Sequence, residues 1–68
     1  MVNKNLFKGK VYSVGDNLYR CAKAIGCSQD NLSKKLNGKS NFTVEQIEMF
    51  VRHYKCTAEE TMRIFFGD

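Results

Sequence analysis

The stretch Asp16–Lys39, DNLYRCAKAIGCSQDNLSKKLNGK, decides how this chain folds. Leu18, Cys21, Ala22 and Ile25 fall at i, i+3, i+4 and i+7, the apolar face of one short helix. Gly26 accepts a positive φ and ends that helix sharply. Ser28 then stands as the N-cap of a second helix with Leu32 and Leu36 as its inward stripe, and Asn37-Gly38 closes it. Ala22 is small, and with Gly26 it is expected where the two helices cross, with no room for a larger side chain. A tight turn at Gly26-Cys27 and a polar opening on the second helix together predict a helix-turn-helix.

Outward from this stretch the chain reads as helical throughout. A first helix over roughly residues 3–13 puts Phe7, Val11 and Val14 on one face, with Leu6 beside them. Thr43 with Gln46 makes a capping box, followed by Val44, Ile47, Phe50, Val51 and Tyr54 at helical spacing. Thr57 and Glu60 make a second box ahead of Met62, Phe65 and Phe66. There is no proline, no alternating strand pattern, no low-complexity linker and no internal repeat. The expectation is a compact all-α domain over 1–68, with five helices of about 8–12 residues.

Size and charge narrow the classes of function. A chain of 68 residues lies near the lower limit for a core without disulfides or metals and is too small to enclose a deep substrate pocket. Its net charge is +4, unevenly spread. Residues 1–40 carry eight Lys/Arg against Asp16 and Asp30, a net +6, whereas residues 41–68 carry a net −2. A basic half that contains the polar second helix of the motif points to a polyanion, with a generic basic surface as the plainer alternative.

Catalytic and metal chemistry find no support. His53 is the only histidine and no Cys-x-x-Cys pair accompanies it, so neither a zinc site nor any cofactor is expected. Gly38-Lys39-Ser40 imitates the end of a phosphate-binding loop, but the glycine required five residues before Gly38 is Ser33. The spacing of His53 and Cys56 reads as a helix end rather than a catalytic pair. The chain is read as a non-enzyme. Three cysteines, an odd number, two of them at core positions, and no apolar run of membrane-spanning length suggest a cytoplasmic protein.

With the motifs in view, the order of five helices and the turn between the second and third resemble the Cro/repressor (XRE-type) helix-turn-helix domains of phages and bacteria. The nearest likeness is to small phage Cro-like proteins of Gram-positive hosts. It is carried by Lys8-Gly9-Lys10 in the first helix, Leu32–Lys39, Phe42–Ile47 and the terminal Phe65-Phe66, and it covers essentially the whole chain. The resemblance implies a lambda-repressor-like DNA-binding domain whose third helix enters the major groove of operator DNA. Three departures stand out. Leu18 takes the place where many such domains carry a phosphate-touching Gln, Lys35 precedes the apolar Leu36, and Asp30 puts a negative charge on the DNA-facing side.

Residue types on the recognition helix fit base reading. Gln29, Asp30, Asn31, Ser33 and Lys34 are the candidate base contacts: Gln pairs with adenine, Lys donates to guanine and Asp accepts from the cytosine amino group. Asp30 equally suits the helix dipole without any DNA. Asn17, Arg20, Ser28, Lys35, Asn37 and Lys39 are the candidate contacts to the DNA backbone, with a solvated surface role as the alternative for Lys35.

Phe65 and Phe66 point to different sides of a helix, and so short a chain is not expected to bury both. One is expected in the core against Phe50 or Tyr54. The pair is assigned to a dimer or partner interface, with a homodimer through the C-terminal helix as the expected assembly. The functional expectation is a phage- or prophage-type transcriptional regulator that binds operator DNA as a dimer. The alternative is a helix-turn-helix scaffold that has turned to protein, a modulator of a phage repressor or an inhibitor of host defence. RNA binding ranks below both, for want of a stacking platform of aromatic residues.

Overall fold

Five side-chain caps set where the helices begin. In the computed structural model, which describes residues 2–67, Asn3, Asn17, Ser28, Thr43 and Thr57 each accept a hydrogen bond from the backbone N–H three residues on. They open α1 (Lys4–Ser13), α2 (Leu18–Ile25), α3 (Gln29–Leu36), α4 (Val44–Tyr54) and α5 (Ala58–Thr61). Each such cap is worth about 1 kcal/mol. At Thr43 and Thr57 the reciprocal bond from the Gln46 and Glu60 side chains is also present, so both expected capping boxes form.

The helix ends share one device. At the close of α2 the Cys27 N–H reaches back to the Ala22 carbonyl and the Gly26 N–H to Lys23, with Gly26 at φ 79°. The same pair of bonds closes α3, where Lys39 N–H meets the Lys34 carbonyl and Gly38 N–H meets Lys35. At the end of α4 the left-handed position is held by Lys55, at φ 54°, the one such non-glycine among the described residues.

The core is an aromatic stack wrapped by aliphatic side chains. Phe7 of α1 and Phe50 of α4 are fully buried with ring centroids 4.4 Å apart, and Phe65 meets both edge-on. Cys21, Ala22 and Ile25 present the buried face of α2, and Leu32 and Leu36 that of α3. Three contacts tie distant parts of the chain together. Asn3 N–H donates to the Ile64 carbonyl at 2.6 Å, Lys10 Nζ to Glu60 at 2.9 Å, and the Tyr54 hydroxyl to Asp16 Oδ2 at 2.8 Å. The radius of gyration, 10.5 Å, is that of a compact chain, for which about 11 Å is expected at this length. The described residues form no strand, and none of their helices is long and apolar enough to cross a membrane.

Several expectations are corrected. Val14 lies 59 % exposed, because α1 stops at Ser13 and the chain turns through Gly15 before the face reaches it. Leu6 is nearly half exposed, and Val44, at the first position of α4, is 72 % exposed. The fifth helix has only one α-helical turn and continues as a π-helical turn, Met62–Phe66, where Asn3 takes up the Ile64 carbonyl. Phe65 belongs to the core at 6 % exposure, so its assignment to an interface fails, whereas Phe66 is 59 % exposed. Ala22 is buried as expected, but Gly26 is not crowded: a Cβ there would meet only the Met49 methyl at 4.0 Å. Its backbone conformation, not space, is what requires glycine.

Candidate nucleic-acid interface

α3 is positioned by two anchors and one cap. Leu32 and Leu36 press its inner side into the core, and Ser28 Oγ accepts from the Asn31 N–H at 3.1 Å. Every polar residue of the helix except Lys35 is exposed. Gln29, Asp30, Asn31, Ser33 and Lys34 are all exposed. Among the described residues the side chains of Gln29, Asp30, Asn31 and Lys34 make no hydrogen bond or ion pair; Ser33 Oγ accepts a long one, 3.5 Å, from Asn37. All five candidate base contacts are therefore exposed, with Gln29 and Asn31, two residues apart, on different sides of the helix.

The candidate backbone contacts divide. Lys39 is exposed beside the end of α3. Asn37 is exposed too, but its Oδ1 accepts from Lys4 Nζ at 2.9 Å, tying α3 to α1. Asn17 and Ser28 spend their side-chain oxygens on caps, leaving Asn17 only its amide N–H groups. Lys35 is corrected. Its ammonium donates to the Asn41 carbonyl at 2.8 Å and lies 5.8 Å from the centre of the Phe42 ring, so it fastens the loop after α3. Arg20 lines a different cleft, with Asp16, Lys23, His53 and Lys55.

A groove between α1 and α3 adds residues that reading the sequence missed. Lys4 and Lys8, one turn apart on α1, line it opposite Gln29, Ser33 and Asn37. Their spacing in sequence was the available signal, but nothing local tells which helix α1 lies beside. Leu18 lines this groove and packs on the core, so it serves as a packing residue. The edge of α3 thus carries Lys4, Lys8, Lys34 and Lys39 against the single carboxylate of Asp30, and none of these five is ion-paired among the described residues.

Electrostatics away from α3 concern stability. The Asp16 carboxyl is held below the ordinary range by the Tyr54 hydroxyl and then by the Asn17 N–H. Burial pushes the Cys21 thiol up to about 11 and raises the Tyr54 phenol as well. Glu60 is lowered by its bond from Lys10, and Lys10 is raised by the same bond. No cluster of three His, Cys, Asp or Glu among the described residues is placed to hold a metal ion. No protein-family model, curated protein or solved structure matches this chain.

Proposed function

We propose that this chain is a sequence-specific DNA-binding transcriptional regulator of the Cro/repressor kind. In this reading α2 and α3 form the helix-turn-helix and α3 lies in the major groove. One observation carries it. A short helix is clamped by Leu32 and Leu36 while Gln29, Asp30, Asn31 and Lys34 face solvent with no partner of their own among the described residues. Polar side chains so presented, at the opening of a helix, have the donors and acceptors that base edges require. Lys4, Lys8, Lys34 and Lys39 around them are suited to phosphates, which they would bind with release of counterions.

A second reading rests on a different surface. Phe66, Met62 and Val44 leave apolar area exposed on the α4–α5 side, which favours a protein contact in addition to DNA.

Titration of a labelled random duplex at rising salt tests the first reading. Binding at low salt should weaken linearly in log–log form, with a slope of about −0.9 for each phosphate contacted. Selection from a random pool should then return a defined site. Absence of duplex binding at low salt would refute the proposal and leave the protein contact as the function.

A further inference from the structure

The cleft between the turn before α2 and the end of α4 gathers more positive charge than the fold neutralises. Arg20 and Lys23 line it from α2, one turn apart, and His53 and Lys55 line it from the end of α4. Among the described residues none of Arg20, Lys23 and Lys55 is in an ion pair. Lys23 has only the face of the exposed Tyr19 ring, 4.7 Å from its ammonium. The one carboxylate in the cleft is Asp16, whose two oxygens already accept from the Tyr54 hydroxyl and the Asn17 N–H, with His53 Nε2 at 3.9 Å. Three fixed positive charges therefore face one negative charge, a surplus of two.

Stability does not account for two of these cations. Arg20 lies in the first turn of α2, where the helix dipole favours an acid. Lys55 is held at φ 54°, a conformation that Gly15, Gly26 and Gly38 supply elsewhere, and a lysine there costs backbone strain. A cation suits the end of α4, but Arg52 and His53 already supply one within the last turn and without that strain.

The cleft has a volume of about 730 Å³, and small-molecule sites range over about 300–1,000 Å³. Val14, 59 % exposed, and Ala24 give it an apolar side. No residue of α3 lines it, and it shares no residue with the groove that holds Gln29, Lys4 and Lys8. It is thus apart from the surface proposed for DNA. A phosphate monoester carries a charge of about −1.5 to −2 at pH 7, which matches the surplus, and an arginine fork binds it through two parallel hydrogen bonds. A monocarboxylate would leave half the surplus unmatched.

We propose that this cleft binds a small organic phosphate, its phosphoryl group held by Arg20, Lys23 and Lys55 and its apolar body laid on Val14 and Ala24. The site is independent of DNA binding and is measured with no nucleic acid present.

The test is a titration of the isotope-labelled whole chain with phenyl phosphate at constant ionic strength, followed by amide chemical shifts. The shifts should centre on Gly15, Asp16, Arg20, Ala24 and Lys55 and approach saturation by about 10 mM, as a site of millimolar Kd requires. Arg20→Gln and Lys55→Gly should each weaken binding at least about tenfold, the loss of one hydrogen bond between charged groups. Lys55→Gly also relieves the backbone. A variant that melts higher yet binds more weakly shows the lysine held for its charge, which a purely structural residue would not do. Shifts that do not saturate, that spread equally over Lys4, Lys8, Lys34 and Lys39, or that survive both substitutions would overturn the site. Benzoate binding as tightly as phenyl phosphate would overturn the assignment to phosphate. If a duplex displaces phenyl phosphate and Lys55→Gly weakens both, the cleft is part of a DNA surface and the small ligand is refuted.

Discussion

The Tyr54 hydroxyl donates to Asp16 Oδ2 at 2.8 Å, linking the end of α4 to the turn before α2 across thirty-eight residues of sequence. The other Asp16 oxygen accepts from the Asn17 N–H at 2.9 Å, so the carboxylate holds the first residues of α2 and the last of α4 together. His53 Nε2 stands 3.9 Å from the same carboxylate, and its ring meets Tyr54 edge-on. This contact sets how the turn before α2, and hence the α2–α3 pair, sits on the rest of the fold.

Tyr54→Phe should therefore lower stability by about 1 kcal/mol, the usual net worth of one hydrogen bond, or about 4–8 °C in Tm for a domain of this size. The ring stays, so its contact with Phe50 at 4.7 Å between centroids is kept. In the variant the Asp16 carboxyl, having lost the largest cause of its depression, should titrate closer to the ordinary carboxylate range, as carbon-detected NMR would show. An unchanged Tm and an unchanged Asp16 titration would mean the bond contributes nothing.

Alkaline pH should unfold the protein through the same region. Cys21 and Tyr54 are both neutral in the fold and both raised, chiefly by burial, Cys21 to about 11. In the unfolded chain a thiol ionises near about 8.5 and a phenol near about 10. Their contribution is thus complete below about pH 8.5 and is lost progressively as the pH climbs towards the folded values. Cys27 and Cys56, raised by burial as well, act in the same direction. On the acid side the depressed Asp16 and Glu60 give stability above about pH 4 that disappears as the pH falls through their folded values. Urea midpoints measured across pH 3–11 should show a plateau that falls at both ends.

The adjacent phenylalanines should behave oppositely. Phe65 is packed against Phe7, Phe42 and Phe50, and Phe65→Ala should cost about 3–5 kcal/mol, enough to unfold much of a domain this small. Phe66→Ala removes an exposed ring and should change monomer stability by less than about 0.5 kcal/mol. Equal losses in denaturant melts would contradict this division of roles.

Lys55 holds the left-handed conformation that glycine holds at the ends of the first three helices. Removing its Cβ relieves a strain of roughly 1–2 kcal/mol, partly offset by the greater freedom of glycine in the unfolded chain. Lys55→Gly should accordingly stabilise the fold by about 0.5–1 kcal/mol, visible as a raised Tm.

What could be read from the sequence was what is decided locally. Ser28, Thr43 and Thr57 cap the helices they precede, because a cap needs only a side-chain oxygen and an N–H three residues on. The outward set on α3 follows from the spacing of Leu32 and Leu36 alone. Errors arose where distant groups decide. Helical spacing carries Val14 onto the inner face, but α1 ends at Ser13 and the chain turns at Gly15. The π-helical turn at Met62–Phe66 widens a helix whose Ile64 carbonyl is bonded by Asn3, sixty-one residues earlier. Lys35 reads as a free cation until the loop after α3 folds back and brings the Asn41 carbonyl to it. Lys4 and Lys8 join the candidate site only through the packing of α1 beside α3.

The sharpest test of the α3 surface compares two of its residues. Gln29 opens the helix, exposed and without a side-chain partner among the described residues, and it also lines the groove shared with Lys4 and Lys8. If its amide reads an adenine, Gln29→Ala should weaken binding to the selected site by about 1–3 kcal/mol and leave random duplex nearly unchanged. Lys34 lies more than a turn further along the helix, with a single point charge. If it sits on a phosphate, Lys34→Gln should weaken selected and random duplexes alike and reduce the salt slope by about one. Should Lys34→Gln instead discriminate between sequences while leaving the slope intact, its contact is to a guanine. Should Gln29→Ala cost the same on both duplexes, the amide only positions the helix, and specificity must come from Asn31, Ser33 or Asp30. Loss at neither residue would remove both from the interface and leave any contact of α3 with DNA to Asp30, Asn31 or Ser33.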